Sequence, residues 1–135
     1  RVLEYINDMA DHLMASDLVV SRSGALTVAE ITTCGRAAVL VPSPNVTGNH
    51  QYYNARAIAD TGGAILIEDK DFTAERLLQA AENLKNDRDR LSEMESASRR
   101  MAAEDAAGKI AGEIFADLGA DLGKKSAAHG ESGGK

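Results

Sequence analysis

The chain has 135 residues, of which 44% are hydrophobic and 4% aromatic, and it contains no Trp. That length suits one domain with an aliphatic core of Ala, Leu, Ile and Val. The net charge of −6 and the pI of about 5.0 exclude the basic surface of a nucleic-acid-binding domain, so we expect no nucleic-acid partner.

A single cysteine, Cys34, excludes an internal disulfide framework. It lies in an apolar run, so we expect a buried, reduced and unreactive thiol, which fits a reducing cytoplasm. The longest unbroken apolar run, around residues 37–41, is too short to cross a bilayer. Peripheral contact with a membrane through a partner domain is compatible with this.

The N-terminal half alternates short apolar runs with helical patterns. The opening RVLEYI has the alternation of a strand, and we interpret it as the cut end of a longer chain. A short helix follows, capped by Asn7 or Asp8, with Met9, Leu13 and Met14 at helical spacing. The next elements are a strand at 18–20, a helix from Gly24 to Gly35, a strand at 37–41 ended by Pro42 and Pro44, a helix through Tyr52, Tyr53, Ala55 and Ile58 that closes at Gly62 and Gly63, and a strand at 64–67.

The C-terminal half has helical periodicity. The three predicted helices are one capped by Thr73 with Leu77, Leu78, Ala81 and Leu84 on one face, one with Leu91, Met94, Ala97 and Met101, and one that starts near Asp105 with Ala107, Ile110, Ala111, Ile114 and Leu118. From Gly119 the apolar periodicity is lost, and we expect residues 119–135 to be a disordered tail.

Four short apolar strands separated by helices, with no alternation in the runs at 18–20, 37–41 and 64–67, indicate parallel strands covered on both faces. The predicted fold class is therefore α/β, with a partial Rossmann-like parallel sheet, flanking helices and a helical C-terminal region. The sheet is partial because doubly wound domains usually contain five or six strands.

The segment SRSGALTVAE, residues 21–30, has the parts of a phosphate-binding turn. A strand precedes it, Gly24 lets the backbone approach an anion, and the first amides of the next helix have no acceptor within the helix. Thr27 adds a hydroxyl one turn further on. The signal is weak by itself, because most such glycines only make turns and the sequence has no G-x-G-x-x-G.

Glu30 is the only charged residue of the run ALTVAEITTC, which we expect to form a buried helix, so its carboxylate needs a partner. Two carboxylate oxygens can bind both hydroxyls of a ribose. Gly24 and Glu30 would lie roughly 9 Å apart along the axis, on the order of a nucleotide's phosphate-to-ribose distance. A salt bridge to Arg22 or Arg56 is the alternative, and the spacing does not decide between the two.

A second polar stretch, PSPNVTGNHQYYNA at residues 42–55, follows a strand, where α/β sheets bind ligands. Its neutral donors and acceptors suit sugar hydroxyls: Asn49, His50, Gln51 and Asn54. The alternative is a polar loop with a helix cap at Asn49. We expect no metal site, because His12 and His129 are far from His50 in sequence and no other ligand stands at metal-binding spacing.

Together these segments resemble the C-terminal domain of the MurG family of peptidoglycan N-acetylglucosaminyltransferases. The resemblance covers about residues 2–118, and its specific parts are R-S-G-A-x-T-x-x-E and N-H-Q-x-x-N-A. It implies the C-terminal half of the two-domain GT-B fold, with residues 1–118 as a partial UDP-sugar donor-binding domain. The implied reaction is inverting transfer of N-acetylglucosamine (GlcNAc) from UDP-GlcNAc to undecaprenyl-diphospho-muramoyl-pentapeptide, lipid I to lipid II, without a metal or other cofactor.

The resemblance also implies the contacts of UDP-GlcNAc. Ile6 would meet the uracil through its backbone, and Glu30 would hold the ribose diol. The diphosphate would be bound by the turn made of Gly24, Ala25, Leu26, Thr27, Val28 and Ala29. Gln51, with His50 beside it, would contact the GlcNAc hydroxyls, although the family varies at the position of His50.

By the same resemblance, the lipid-linked acceptor site, the general base and the membrane-facing patch belong to an N-terminal domain outside these 135 residues. We therefore expect no catalytic residue here and an inactive chain when alone. The implied location is the cytoplasmic face of a bacterial plasma membrane, in a pathway that serves cell shape and division. The alternatives are another GT-B transferase, such as one acting on diacylglycerol, a UDP-GlcNAc epimerase, or a noncatalytic nucleotide-binding module.

Overall fold

The computed structural model describes residues 2–102, which form a three-stranded parallel sheet with helices on both faces. The elements are α1 (Met9–Ala15), β1 (Leu18–Ser21), α2 (Ala25–Cys34), β2 (Ala37–Leu40), α3 (His50–Ala59), β3 (Ala64–Leu66), α4 (Ala74–Asn86) and α5 (Arg88–Arg100). Two 3₁₀ turns, Thr47–Asn49 and Asp69–Asp71, precede α3 and α4. The helix predicted from Asp105 and the tail predicted at 119–135 lie outside the described residues.

The strands are ordered β1-β2-β3, and both pairings are parallel. In the register, Ser21 is the partner of Leu40, and Leu40 is also the partner of Leu66. Every residue of β2 is fully buried, because helices cover both faces of this central strand. This burial explains why its sequence AAVL does not alternate, and it confirms the predicted α/β class with parallel strands.

Each face of the sheet has its own aliphatic core. On one face, Ala38 and Leu40 contact Leu13 of α1, Ile31 of α2 and Ile58 of α3. On the other face, Ala37 packs with the residues Leu84 of α4 and Leu91 and Met94 of α5, while Val39 packs with Val41 and Ile67. The helices are therefore held mainly by burial of their apolar stripes against β2.

Local capping residues set the helix boundaries where the sequence predicts them. Gly35 caps the C-terminus of α2 in the left-handed conformation, with φ of 60°. The Thr73 hydroxyl accepts a hydrogen bond from the Arg76 amide at 3.2 Å and caps α4. A cap that sequence reasoning missed is Asp87, whose carboxylate accepts from the Arg90 amide at 3.0 Å and separates α4 from α5.

Three predictions, one of a strand and two of burial, are wrong. Residues 2–6 form no strand, because among the described residues no neighbouring strand pairs with them, and Val2 is 98% exposed. Leu78 and Met101 are exposed instead of lying on buried helix faces. Cys34 is only partly buried at the end of α2.

Helix α5 packs closely against the turn before β3. A Cβ atom added to Gly63 would lie 2.8 Å from the Ser98 amide nitrogen and 2.9 Å from Cγ2 of Ile58. An ion pair at 3.1 Å also joins Glu95 of the same helix to Arg36, the residue before β2, and both side chains are partly buried. Within residues 2–102, no helix is long and apolar enough to cross a membrane.

We predict that Gly63→Ala lowers the free energy of unfolding by about 1–3 kcal/mol, because the added methyl group would push the α5 backbone away from the sheet. Gly62→Asn is the matched control, since Gly62 has φ of 83° and open space around its Cβ position. Asn tolerates that conformation, so its cost is expected to be smaller. Equal midpoints of chemical denaturation for the two variants would contradict this packing.

Candidate functional site

The carboxyl ends of the three strands bring three loops to one edge of the sheet. These loops are residues 22–24 after β1, residues 41–49 after β2 and residues 67–73 after β3. Ligands of parallel α/β sheets bind at this edge. The predicted residues 24–27 and 50–51 all lie there, at the N-termini of α2 and α3.

The N-terminus of α2 carries no side-chain cap. Gly24 is the N-cap residue, and no side chain accepts a hydrogen bond from the first turn, which also contains no acidic residue. The first intrahelical bond runs from the Val28 amide to the Gly24 carbonyl at 2.9 Å. The amides of Ala25, Leu26 and Thr27 therefore have no acceptor within the helix and are suited to bind an anion.

Gly24 has a backbone that any residue could adopt. Its φ is −63°, and a Cβ atom added to it would meet nothing closer than Thr27 Oγ1 at 3.9 Å. The other glycines of residues 2–102 have local reasons, a positive φ or a close contact with α5: Gly35, Gly48, Gly62 and Gly63. Gly24 is thus unexplained by the fold, and the missing side chain leaves open backbone beside the free amides of α2.

Hydrogen bonds from the two residues before Gly24 connect the loops at the strand ends. Arg22 donates to the carbonyl oxygens of Val41 and Pro42, each at 3.3 Å, and pairs with Asp69 in the loop after β3. Ser23, which is fully buried, donates from Oγ to the Gln51 carbonyl oxygen at 2.8 Å. These bonds hold the turn before α2 against the first turn of α3.

The polar side chains at the start of α3 make hydrogen bonds within the fold, and some of their polar atoms remain free for a ligand. Asn54 donates from Nδ2 to the Ser23 carbonyl oxygen at 3.1 Å, so this part of its predicted capacity for sugar hydroxyls is used within the fold. Gln51 accepts at Oε1 from the Ser43 amide at 2.9 Å. Exposed His50 donates from Nδ1 to the Thr47 carbonyl oxygen at 2.8 Å, which leaves Nε2 as an acceptor in the neutral ring.

Glu30 is exposed, so the prediction that α2 is buried nearly all round is wrong. The helix packs on the sheet with Val28 and Ile31, and its opposite side, including Leu26 at 82% exposure, faces outward. Glu30 and Leu26 line a groove of about 280 Å³ between α1 and α2, with Cys34 in its wall. Glu30 thus presents an exposed carboxylate at the edge of an apolar groove.

The salt-bridge alternative for Glu30 is also wrong. Arg22 pairs with Asp69, and Arg56 pairs with Asp60 one turn along α3 at 3.3 Å. Among the described residues, no cation lies within 4 Å of the Glu30 carboxylate. Its oxygens are therefore available for hydrogen bonds from outside this part of the chain.

The cations at the strand ends are neutralised by neighbouring acids. Lys70 lies 3.0 Å from Glu68, whose hydrogen bond and negative charge raise the pKa of Lys70. Arg22 is likewise paired with Asp69. At the N-terminus of α2, the amides of the first turn and the Thr27 hydroxyl are donors that an anion could use. Within residues 2–102, no group of three or more His, Cys, Asp or Glu side chains is arranged to hold a metal ion.

Ile6 is partly buried in the irregular segment before α1. The hydrogen bonds that join the three loops are made by other residues, and the contact of Ile6 with uracil stays a prediction. Val28 and Ala29 follow directly in α2. Sequence reasoning missed the bracing roles of Arg22, Ser23 and Asn54, although the segments R-S-G-A and N-H-Q-x-x-N-A contain all three.

The comparisons with known proteins agree on one family and one fold. Residues 1–110 match the family described as the glycosyltransferase family 28 C-terminal domain. The chain is 41% identical over 106 residues to a Desulforamulus reducens protein named UDP-N-acetylglucosamine--N-acetylmuramyl-(pentapeptide) pyrophosphoryl-undecaprenol N-acetylglucosamine transferase. The matched region is 78% of this chain and 28% of that protein. A Myxococcus xanthus protein of the same name is 39% identical over 110 residues, covering 82% of this chain and 29% of that protein.

Among solved structures, the fold is similar to the crystal structure of Acinetobacter baumannii MurG, with a TM-score of 0.77 and 38% identity. That match covers 85% of this chain and 33% of the MurG chain. The chain spans less than a third of the length of these two curated relatives.

We predict that Gly24→Ala changes the free energy of unfolding by less than about 1 kcal/mol, because the lost chain entropy of the unfolded state offsets a slightly poorer helix cap. Gly35→Ala is the matched control, since Gly35 has φ of 60° and a Cβ there would lie 2.7 Å from the Arg99 guanidinium. Thermal and denaturant unfolding measure both. A Gly24→Ala variant as unstable as Gly35→Ala would show that the fold itself requires Gly24.

Proposed function

Because the chain belongs to the glycosyltransferase family 28 C-terminal domain family, we propose that it binds UDP-GlcNAc as the donor half of a GT-B glycosyltransferase. The proposed reaction transfers GlcNAc to undecaprenyl-diphospho-muramoyl-pentapeptide in peptidoglycan synthesis, as the relatives' name states for them. The observation that carries the proposal is Gly24, a glycine that the fold does not need, at the uncapped N-terminus of α2.

The diphosphate is proposed to bind at this helix terminus. The amides of Ala25, Leu26 and Thr27 would donate to its oxygens, and the Thr27 hydroxyl would add a further donor. Val28 and Ala29 complete the turn that aims these groups. When the bond to the sugar breaks, negative charge grows on the departing UDP, and fixed amide dipoles stabilise that charge.

The nucleoside is proposed to lie along α2. Glu30 would accept hydrogen bonds from both ribose hydroxyls. Its exposure supports this assignment, as does the pairing of Arg22 and Arg56 with other carboxylates. Ile6 would meet the uracil through its backbone, as the family resemblance implies. An exposed apolar stretch that includes Leu26 would lose its contact with water when the nucleotide binds.

The GlcNAc moiety is proposed to lie at the N-terminus of α3. Since Oε1 of Gln51 already accepts from the Ser43 amide, Gln51 would act on a sugar oxygen only as a donor, through Nε2. His50 would complement it as an acceptor through its free ring nitrogen. One donor and one acceptor side by side suit vicinal hydroxyl groups.

The acceptor, the general base and the membrane contact are proposed to belong to the part of the relatives that this chain does not span. We therefore expect the 135 residues alone to bind UDP and to transfer no GlcNAc. The proposed location of the whole enzyme is the cytoplasmic face of a bacterial plasma membrane. A diacylglycerol transferase, an epimerase and a noncatalytic module are not favoured, because the curated relatives described above share the name of one transferase.

We predict that Glu30→Ala in the 135-residue chain weakens UDP binding by about 1.5–3 kcal/mol, the value of hydrogen bonds to a charged group, without changing the melting temperature. Glu93→Ala is the matched control, because it removes the same charge from an exposed position of α5, away from the strand ends. Calorimetry or NMR titration with UDP measures the affinities. Loss of stability without loss of UDP affinity in Glu30→Ala would reject the ribose assignment.

A further inference from the structure

Ser23 lies between the two proposed halves of the donor site. It precedes Gly24, is fully buried, and contacts α3 through both its side chain and its backbone. We propose that Ser23 and Asn54 are positioning residues that fix the sugar-binding amide of Gln51 relative to the diphosphate-binding turn of α2. This inference rests on the proposed function and assigns a role to Ser23, which is outside the proposed ligand-contacting residues.

The two hydrogen bonds of Ser23 restrain α3 in more than one direction. The hydroxyl donates to the carbonyl oxygen of Gln51 at 2.8 Å, and the Ser23 carbonyl oxygen accepts from Nδ2 of Asn54 at 3.1 Å. Gln51 and Asn54 are three residues apart on one side of the helix, so the pair restrains rotation as well as separation. Burial of Ser23 excludes water that would compete for these bonds.

The side chain of Gln51 is restrained at its other end by the loop after β2. Its Oε1 accepts from the Ser43 amide at 2.9 Å, while its backbone carbonyl is held by Ser23. With both points fixed, the direction of the remaining Nε2 hydrogens follows from the fold. Ser23 therefore acts on the sugar through Gln51, and it does not need to touch the ligand.

Such positioning matters because transfer depends on where the anomeric carbon lies relative to the departing diphosphate. Small displacements of a positioning group can reduce rates strongly. The diphosphate is proposed to be held by α2 alone, so loss of this restraint is expected to affect UDP-GlcNAc and to leave UDP nearly unchanged. That difference separates positioning from a general loss of structure.

The first test needs no ligand. In Ser23→Ala, exchange of the Ser43 amide hydrogen in the 135-residue chain should accelerate about fivefold, because Gln51 Oε1 is no longer held in place. Ser16→Ala is the matched control, since Ser16 precedes β1 and its hydroxyl also donates to a backbone carbonyl, of Leu13, at 2.8 Å. Asn54→Ala, which removes the other bond, should act like Ser23→Ala. NMR solvent-exchange spectra give these rates.

The second test is a double-mutant cycle with Gln51→Ala, which keeps the backbone carbonyl that Ser23 contacts. Ser23→Ala should weaken UDP-GlcNAc binding about fivefold and UDP binding less than twofold, and it should add nothing in the Gln51→Ala background. Equal losses for the two ligands, or an undiminished effect in that background, would overturn the inference. Unchanged Ser43 exchange in both Ser23→Ala and Asn54→Ala would overturn it as well.

The two proposals fail in different ways. Faster Ser43 exchange without any UDP binding by the wild-type chain would reject the proposed function and support the restraint on Gln51. The opposite result is that UDP binding depends on Glu30, while Ser23→Ala leaves the ratio of UDP-GlcNAc affinity to UDP affinity unchanged. That result would support the proposed function and reject the positioning role.

Discussion

The parallel pairing of β1 with β2 is the constraint on which the site depends. With Ser21 opposite Leu40, both strands end at the same height, and the Val41 amide extends the ladder by donating to the Ser21 carbonyl oxygen at 2.9 Å. The turn before α2 and the loop before α3 consequently start side by side. Full burial of β2 fixes this register, because a slip by one residue would exchange its two buried faces.

The sheet and most helix ends could be predicted because their causes are local. AAVL predicts a strand buried on both faces, and Gly35 and Thr73 predict helix ends through their own backbone or hydroxyl chemistry. The prediction for RVLEYI was wrong because alternation describes a strand's faces but does not supply its pairing partner. The exposure of α2 likewise depends on what packs against it, which its composition does not encode.

The candidate site was only partly predictable for the same reason. Gly24, Glu30 and Gln51 stand out as residue types near strand ends, and the family resemblance gives them roles. The bonds of Ser23 to Gln51 and Asn54 span 28 and 31 residues, so only the folded register shows that Ser23 and Asn54 brace the site. The structure also removes the salt-bridge alternative for Glu30, since Arg22 and Arg56 pair with other carboxylates.

The central claim is that position 24 is a glycine so that an anion can reach the free amides of α2. The most direct measurement is the dissociation constant of UDP for the wild-type chain and for Gly24→Ala, with ¹H–¹⁵N spectra that follow the amides of Ala25, Leu26 and Thr27. The account predicts that UDP shifts these amides in the wild type and that Gly24→Ala, still folded, binds at least about tenfold more weakly. Wild-type UDP affinity in a folded Gly24→Ala variant would contradict it.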